Sequence, residues 1–111
     1  MSKVLDDIIV NNTVEKSIEL AKNLGKEDKA NKNSYYLDIS DYEIYFSDGS
    51  LKIKYYDSYL EFVSASDKDE NTFDVKYGKF KLEHSDKNYK ILVEKINRTY
   101  NNFIRVKRST G

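Results

Sequence analysis

The chain has 111 residues, no cysteine, and 19 Lys+Arg against 19 Asp+Glu. That length suits one domain rather than two, and it buries roughly 65% of the unfolded surface, enough to fold without staples. The charge balance gives no global pull toward nucleic acid or an anionic membrane, and the missing cysteines exclude disulfides, thiolate metal sites and cysteine nucleophiles.

We expect a single domain over 1–111, helical at 2–24, a sheet at 34–84, a helix at 86–104 and a basic tail at 105–111. The N-terminus lacks a signal peptide's apolar stretch, and no segment approaches a membrane span. The expected setting is therefore cytoplasmic. Tyrosine, lysine, asparagine and isoleucine are frequent, as A/T-rich coding tends to produce, so some of the 10 tyrosines need no functional reason.

In the first segment Val4, Leu5, Ile8 and Ile9 form one apolar cluster, and Val14, Ile18, Ala21 and Leu24 a second at helical spacing. Ser2 can cap it, with Asp6 and Asp7 suited to the helix dipole. Asn12 with Glu15 resembles a capping box, which allows a break into two helices near Asn11-Asn12. Gly25 is a natural stop. Lys26 to Asn33 reads as a polar loop.

Four strands with alternating side chains follow. Asp48-Gly49 is a strong hairpin signal, because both central residues of that turn need positive φ. It pairs Phe46 with Leu51, Ile44 with Ile53 and Tyr42 with Tyr55 on one face, and Tyr45 with Lys52 and Glu43 with Lys54 on the other. A turn at Ser40-Asp41 pairs Ile39 with Tyr42, Leu37 with Ile44 and Tyr35 with Phe46. A turn at Asp57-Ser58 pairs Tyr55 with Leu60, Ile53 with Phe62 and Lys54 with Glu61. A one-residue slip would invert a whole strand, so this agreement supports the register.

After a charged loop, Ser66 to Asn71, the residues Phe73, Val75 and Tyr77 alternate. Gly78-Lys79 can turn, and Phe80, Leu82 and His84 alternate back. This hairpin sets Asp74 opposite Glu83 and Lys76 opposite Lys81, both unfavourable. From 86 to 104 the spacing is helical again, with Tyr89, Leu92, Val93, Ile96, Tyr100, Phe103 and Ile104 on one face and Ser85 or Asp86 as cap. The predicted fold is α+β: an antiparallel meander of about six strands whose apolar face is covered by both helices, the C-terminal one amphipathic.

Catalysis finds little material. His84 is the sole histidine, so any nucleophile–histidine–acid triad would depend on it. Asp67, Asp69 and Glu70 lack the glycine and terminal glutamate of a calcium loop. The four glycines are isolated, so no phosphate-binding glycine loop exists. We expect a non-enzymatic protein with no cofactor and no metal.

The outward sheet face is the better candidate. Tyr36, Tyr45, Lys52 and Val63 fall in one expected row, Asp38, Glu43, Lys54 and Glu61 in the next, and Tyr56 with Tyr59 in a third. Exposed tyrosines beside polar groups suit a protein contact: large area, few rotors and a hydroxyl. The expected function is a small protein-binding module, such as a phage- or mobile-element-encoded anti-defence (anti-CRISPR-like) inhibitor or a toxin-immunity protein acting by occlusion. A nucleic-acid-binding accessory protein is the second reading. Residues 88–111 carry Lys90, Lys95, Arg98, Arg105, Lys107 and Arg108 against Glu94 alone, a net +5, whereas residues 34–50 carry a net −4; the acidic sheet row weighs against phosphate there. A ligand cavity between sheet and helices is the third. A monomer, or a homodimer through the sheet face or edges near Tyr35 or Leu82, fits the pattern.

Overall fold

The computed structural model describes residues 7–31, 33–39, 41–47, 49–56, 58–66, 72–84 and 89–110, with the backbone alone at 7, 84, 109 and 110. The expected caps at Ser2 and at Ser85 or Asp86, the turn residues Ser40, Asp48 and Asp57, and the acids Asp67, Asp69 and Glu70 lie outside them.

Helix α1 (Asp7–Leu24) runs unbroken through Asn11-Asn12, so the expected break is absent. Packing overrides the weak propensity of two asparagines: Val10, Val14, Ile18 and Ala21 are fully buried around them, and Thr13 Oγ1 donates back to the Ile9 carbonyl at 2.7 Å. Gly25 ends the helix where the chain passes close to the sheet. A Cβ there would sit 2.6 Å from the Ala21 carbonyl oxygen and 2.7 Å from that of Tyr36. Only glycine permits that approach. It brings Lys26–Glu27 into register with β2 as the two-residue strand β1, where a loop was expected.

Strands β2 (Tyr35–Ile39), β3 (Tyr42–Ser47) and β4 (Ser50–Tyr55) pair in the predicted register throughout. Gly49 has φ 84°, as the hairpin turn requires. The next turn differs. Strand β5 (Ser58–Ser64) pairs Ile53 with Leu60, Lys52 with Glu61 and Leu51 with Phe62, two residues from the expected register. A shift of two preserves which face each side chain takes, so the apolar pattern is equally satisfied. Tyr56 enters the turn in the left-handed region, φ 53°, and Ser58 becomes the first inward, buried residue of β5.

The sheet also departs from a meander at its far side. Strand β7 (Gly78–His84) lies between β5 and β6 (Thr72–Val75), giving the order β1-β2-β3-β4-β5-β7-β6, antiparallel throughout. The last hairpin turns at Lys76-Tyr77 rather than Gly78-Lys79, pairing Asp74 with Lys79 and Phe73 with Phe80. Asp74 thereby faces an opposite charge, while Glu83 faces Glu61 of β5. The edges also differ from expectation. Tyr35 is paired by Glu27, and Leu82 sits inside the sheet, so β1 and β6 are the edge strands.

Helix α2 (Tyr89–Thr110) continues six residues beyond the expected end at 104, so the basic tail is helical. No proline or glycine interrupts it before Gly111. Helix α1 packs on β1, β2, β3 and β6, and α2 packs on α1 and β5. Between them lie Ile44, Leu51, Ile53, Leu60 and Phe62 from the sheet and Leu92 and Ile96 from α2, all with no exposed surface. Each contributes roughly 1.5–3 kcal/mol of burial. Among the described residues these side chains pack into the space between sheet and helices, the expected place for a ligand.

Candidate protein-contact face on the sheet

With both helices on one face, the other is left to solvent. The odd-numbered residues of β3 and β5 and the even-numbered ones of β2 and β4 point there, because side chains alternate. The register aligns Lys26, Tyr36, Tyr45, Lys52, Glu61 and Glu83 in one row across six strands. Asp38, Glu43, Lys54 and Tyr59 form the adjacent row. The two-residue shift of β5 therefore revises both rows: Glu61 takes the place expected for Val63, and Tyr59 the place expected for Glu61. The ladder is Glu43–Lys54–Tyr59. Tyr56 leaves the face altogether for the β4–β5 turn, where it is 72% exposed and meets Tyr55 edge-on with centroids 4.7 Å apart.

The centre of the face is the tyrosine pair. The Tyr36 and Tyr45 rings lie 4.9 Å apart at 39°, within the favourable range for offset aromatic contact. Tyr36 Oη donates to Glu43 Oε1 at 2.9 Å. That bond holds the phenol neutral and pushes its pKa up to about 12, with partial desolvation and the Asp38 charge adding to it. Tyr45 is raised too, first by desolvation and then by Glu43. Beyond the pair, Lys52 Nζ lies 5.6 Å from the Tyr59 ring centroid, a cation–π distance. Tyr36 and Tyr45 stay 36% and 39% exposed. Part of each residue therefore remains open to solvent, while the hydroxyl of Tyr36 is engaged.

A surface groove of about 330 Å³ runs beside this pair, lined among others by Ser34, Tyr36, Tyr45, Ser50, Lys52 and Glu61. Its serines escaped sequence reasoning. Ser47 and Ser50 flank the Asp-Gly turn, with hydroxyls 3.0 Å apart, and read as turn residues only. The face thus offers aromatic area, hydroxyls and charges of both signs on hydrogen-bonded strands.

The basic residues of α2 have mixed fates. Lys95 is engaged at the sheet's end. Its Nζ lies 2.8 Å from Asp41 Oδ2 and 5.2 Å from the Tyr55 ring centroid. The bond to Asp41 raises the Lys95 pKa, and the same bond holds the Asp41 carboxyl below its usual range. Lys107 Nζ lies over the Phe103 ring, and Arg105 donates to Asn102 Oδ1. Arg98, Arg105 and Arg108 are exposed. A second small groove, about 290 Å³, lies among Asn12, Glu15, Glu19, Tyr77 and Tyr100; hydrogen bonding to Glu19 pushes the Tyr100 phenol up to about 12. Sequence reasoning placed Tyr100 only on the apolar face of its helix.

No family model, characterised protein or solved structure matches the chain. No helix among the described residues is long and apolar enough to cross a membrane.

Proposed function

We propose that this is a small protein-binding module that acts by laying the outward face of its sheet on a partner. The observation that carries the reading is the exposed Tyr36–Tyr45 ring pair, held at 4.9 Å on adjacent strands and tied by Tyr36 to Glu43. Tyrosines with few rotors, already ordered before contact, lose little entropy on binding. The mixed-sign rows beside them give orientation and specificity more than raw affinity. An occluding inhibitor of cytoplasmic machinery, of the anti-defence or toxin-immunity kind, is the form of this function that best suits a compact domain whose chemistry lies in its surface. The partner-facing residues are Tyr36, Glu43, Tyr45, Lys52, Lys54, Tyr59 and Glu61. Tyr56, at the turn, belongs to the rim.

The test is affinity capture from a lysate of the source organism, followed by the double substitution Tyr36→Ala, Tyr45→Ala. A partner retained by the native chain should be lost from the variant, with the melting temperature changed by only a few degrees. Retention of the same partner by the variant would refute the proposal.

A further inference from the structure

Arginine occurs at only three positions in this chain, and all three lie on α2: Arg98, Arg105 and Arg108. Every other base among the 19 Lys+Arg is lysine. At 100° per residue the three arginines, with Asn101 between them, fall within about 80° of one another on the solvent side of the helix. They span about 15 Å along its axis. All four side chains are exposed, and no acid follows Glu94.

Helix-dipole stabilisation accounts for Arg108, which lies in the last turn. It does not account for Arg98, which stands more than three turns before Thr110, because the effect fades within the last turn. Nor does it account for arginine in place of lysine, since either cation serves a dipole. A guanidinium differs from an ammonium by its planar fork of donors, which matches phosphate oxygens two at a time.

We infer that this stripe binds the phosphodiester backbone of nucleic acid, without reading its sequence. A row about 15 Å long spans enough of a duplex backbone to give each of the three guanidiniums its own phosphate. The interleaved amide of Asn101 is a donor that suits backbone oxygens. A flexible acidic peptide would supply carboxylates without that fixed spacing. The stripe shares no residue with the sheet face, and its test is independent of the protein-contact reading.

The experiment measures fluorescence anisotropy of a labelled duplex of about 20 base pairs, titrated with the full chain between about 50 and 200 mM salt. Three phosphate contacts predict a log–log salt slope near −3, which weakens binding about 40-fold across that range. Arg105→Gln should reduce the slope by about 1, and the triple variant Arg98→Gln, Arg105→Gln, Arg108→Gln should abolish binding with unchanged circular dichroism. The control triple Lys29→Gln, Lys79→Gln, Lys81→Gln removes the same charge elsewhere and should bind like the native chain. No binding at the lowest salt overturns the inference, as does equal loss in the control. Tighter stripe-dependent binding to polyglutamate, or to vesicles containing phosphatidylserine, also overturns it, in favour of an acidic protein or a membrane surface.

Discussion

The Tyr36 phenol donates to the Glu43 carboxylate, so ionising it would set two negative charges against each other with Asp38 close by. Its pKa accordingly stands at about 12, against 10.0 for an unperturbed phenol. A group that binds its proton more tightly when folded adds stability below its unfolded pKa and loses that stability as pH rises through the folded one. The unfolding free energy should therefore fall between pH 10 and about 12. Tyr100, raised by Glu19, contributes in the same window. Glu43→Gln should flatten the fall by weakening the Tyr36 and Tyr45 parts while leaving that of Tyr100, which denaturant titrations at stepped pH would measure. A second single-residue case is Tyr42, 3% exposed, whose hydroxyl bonds Thr99 Oγ1 at 2.6 Å and so pins β3 to α2. Tyr42→Phe leaves the ring in place and removes the bond. The expected cost is about 1 kcal/mol, or about 4 °C in melting temperature.

Turns decide how far the strands could be read from sequence. Gly49 illustrates a legible turn: the Asp-Gly pair fixed the β3–β4 register, and Gly49 does take positive φ. Gly49→Ala places a methyl in that strained conformation, 2.9 Å from Ser64 Oγ, and should cost about 1–2 kcal/mol. Tyr56 illustrates an illegible one. It adopts φ 53° although nothing in a tyrosine invites it. A two-residue slip keeps every side chain on its face, so alternation alone could not reject the turn at Asp57-Ser58. Replacing strain with permission, Tyr56→Gly should leave stability unchanged or raise it by up to about 1 kcal/mol, the left-handed strain being offset in part by chain entropy. The same parity limit hid the β6–β7 register, where Gly78 attracted the turn that Lys76-Tyr77 makes. What survived into the candidate site was therefore the choice of face, with Tyr36, Tyr45, Lys52 and Lys54 in their true rows. What did not survive was the position of Val63, Tyr59, Glu61 and Tyr56, all downstream of the unreadable turn. Strand β1 had no signal at all, since two charged residues carry no alternation; its cause is the close approach at Gly25.

At the scale of the molecule, the two proposed contact surfaces lie on opposite sides of one core and can be separated by a single truncation. Burial in α2 ends early: Leu92, Val93 and Ile96 are buried, Phe103 only partly so, and Val106 is 60% exposed. From Arg105 to Arg108 every side chain is exposed. A chain stopped after Ile104 thus loses helix but almost no buried apolar area. Its cost should stay near that of ordinary surface changes, about 1 kcal/mol or less, read as a shift of no more than about 4 °C. The same cut removes Arg105 and Arg108 and should bring duplex binding to the background of the triple arginine variant. Capture through the sheet face should persist, because Tyr36, Tyr45 and Glu43 take no support from the removed turns. Stopping the chain before Ile96 instead would uncover Ile18, Leu60 and the rest of the core and should unfold it. If the shorter cut also lost the captured partner while its melting temperature held, the two surfaces would be one composite site, and α2 would belong to the protein contact.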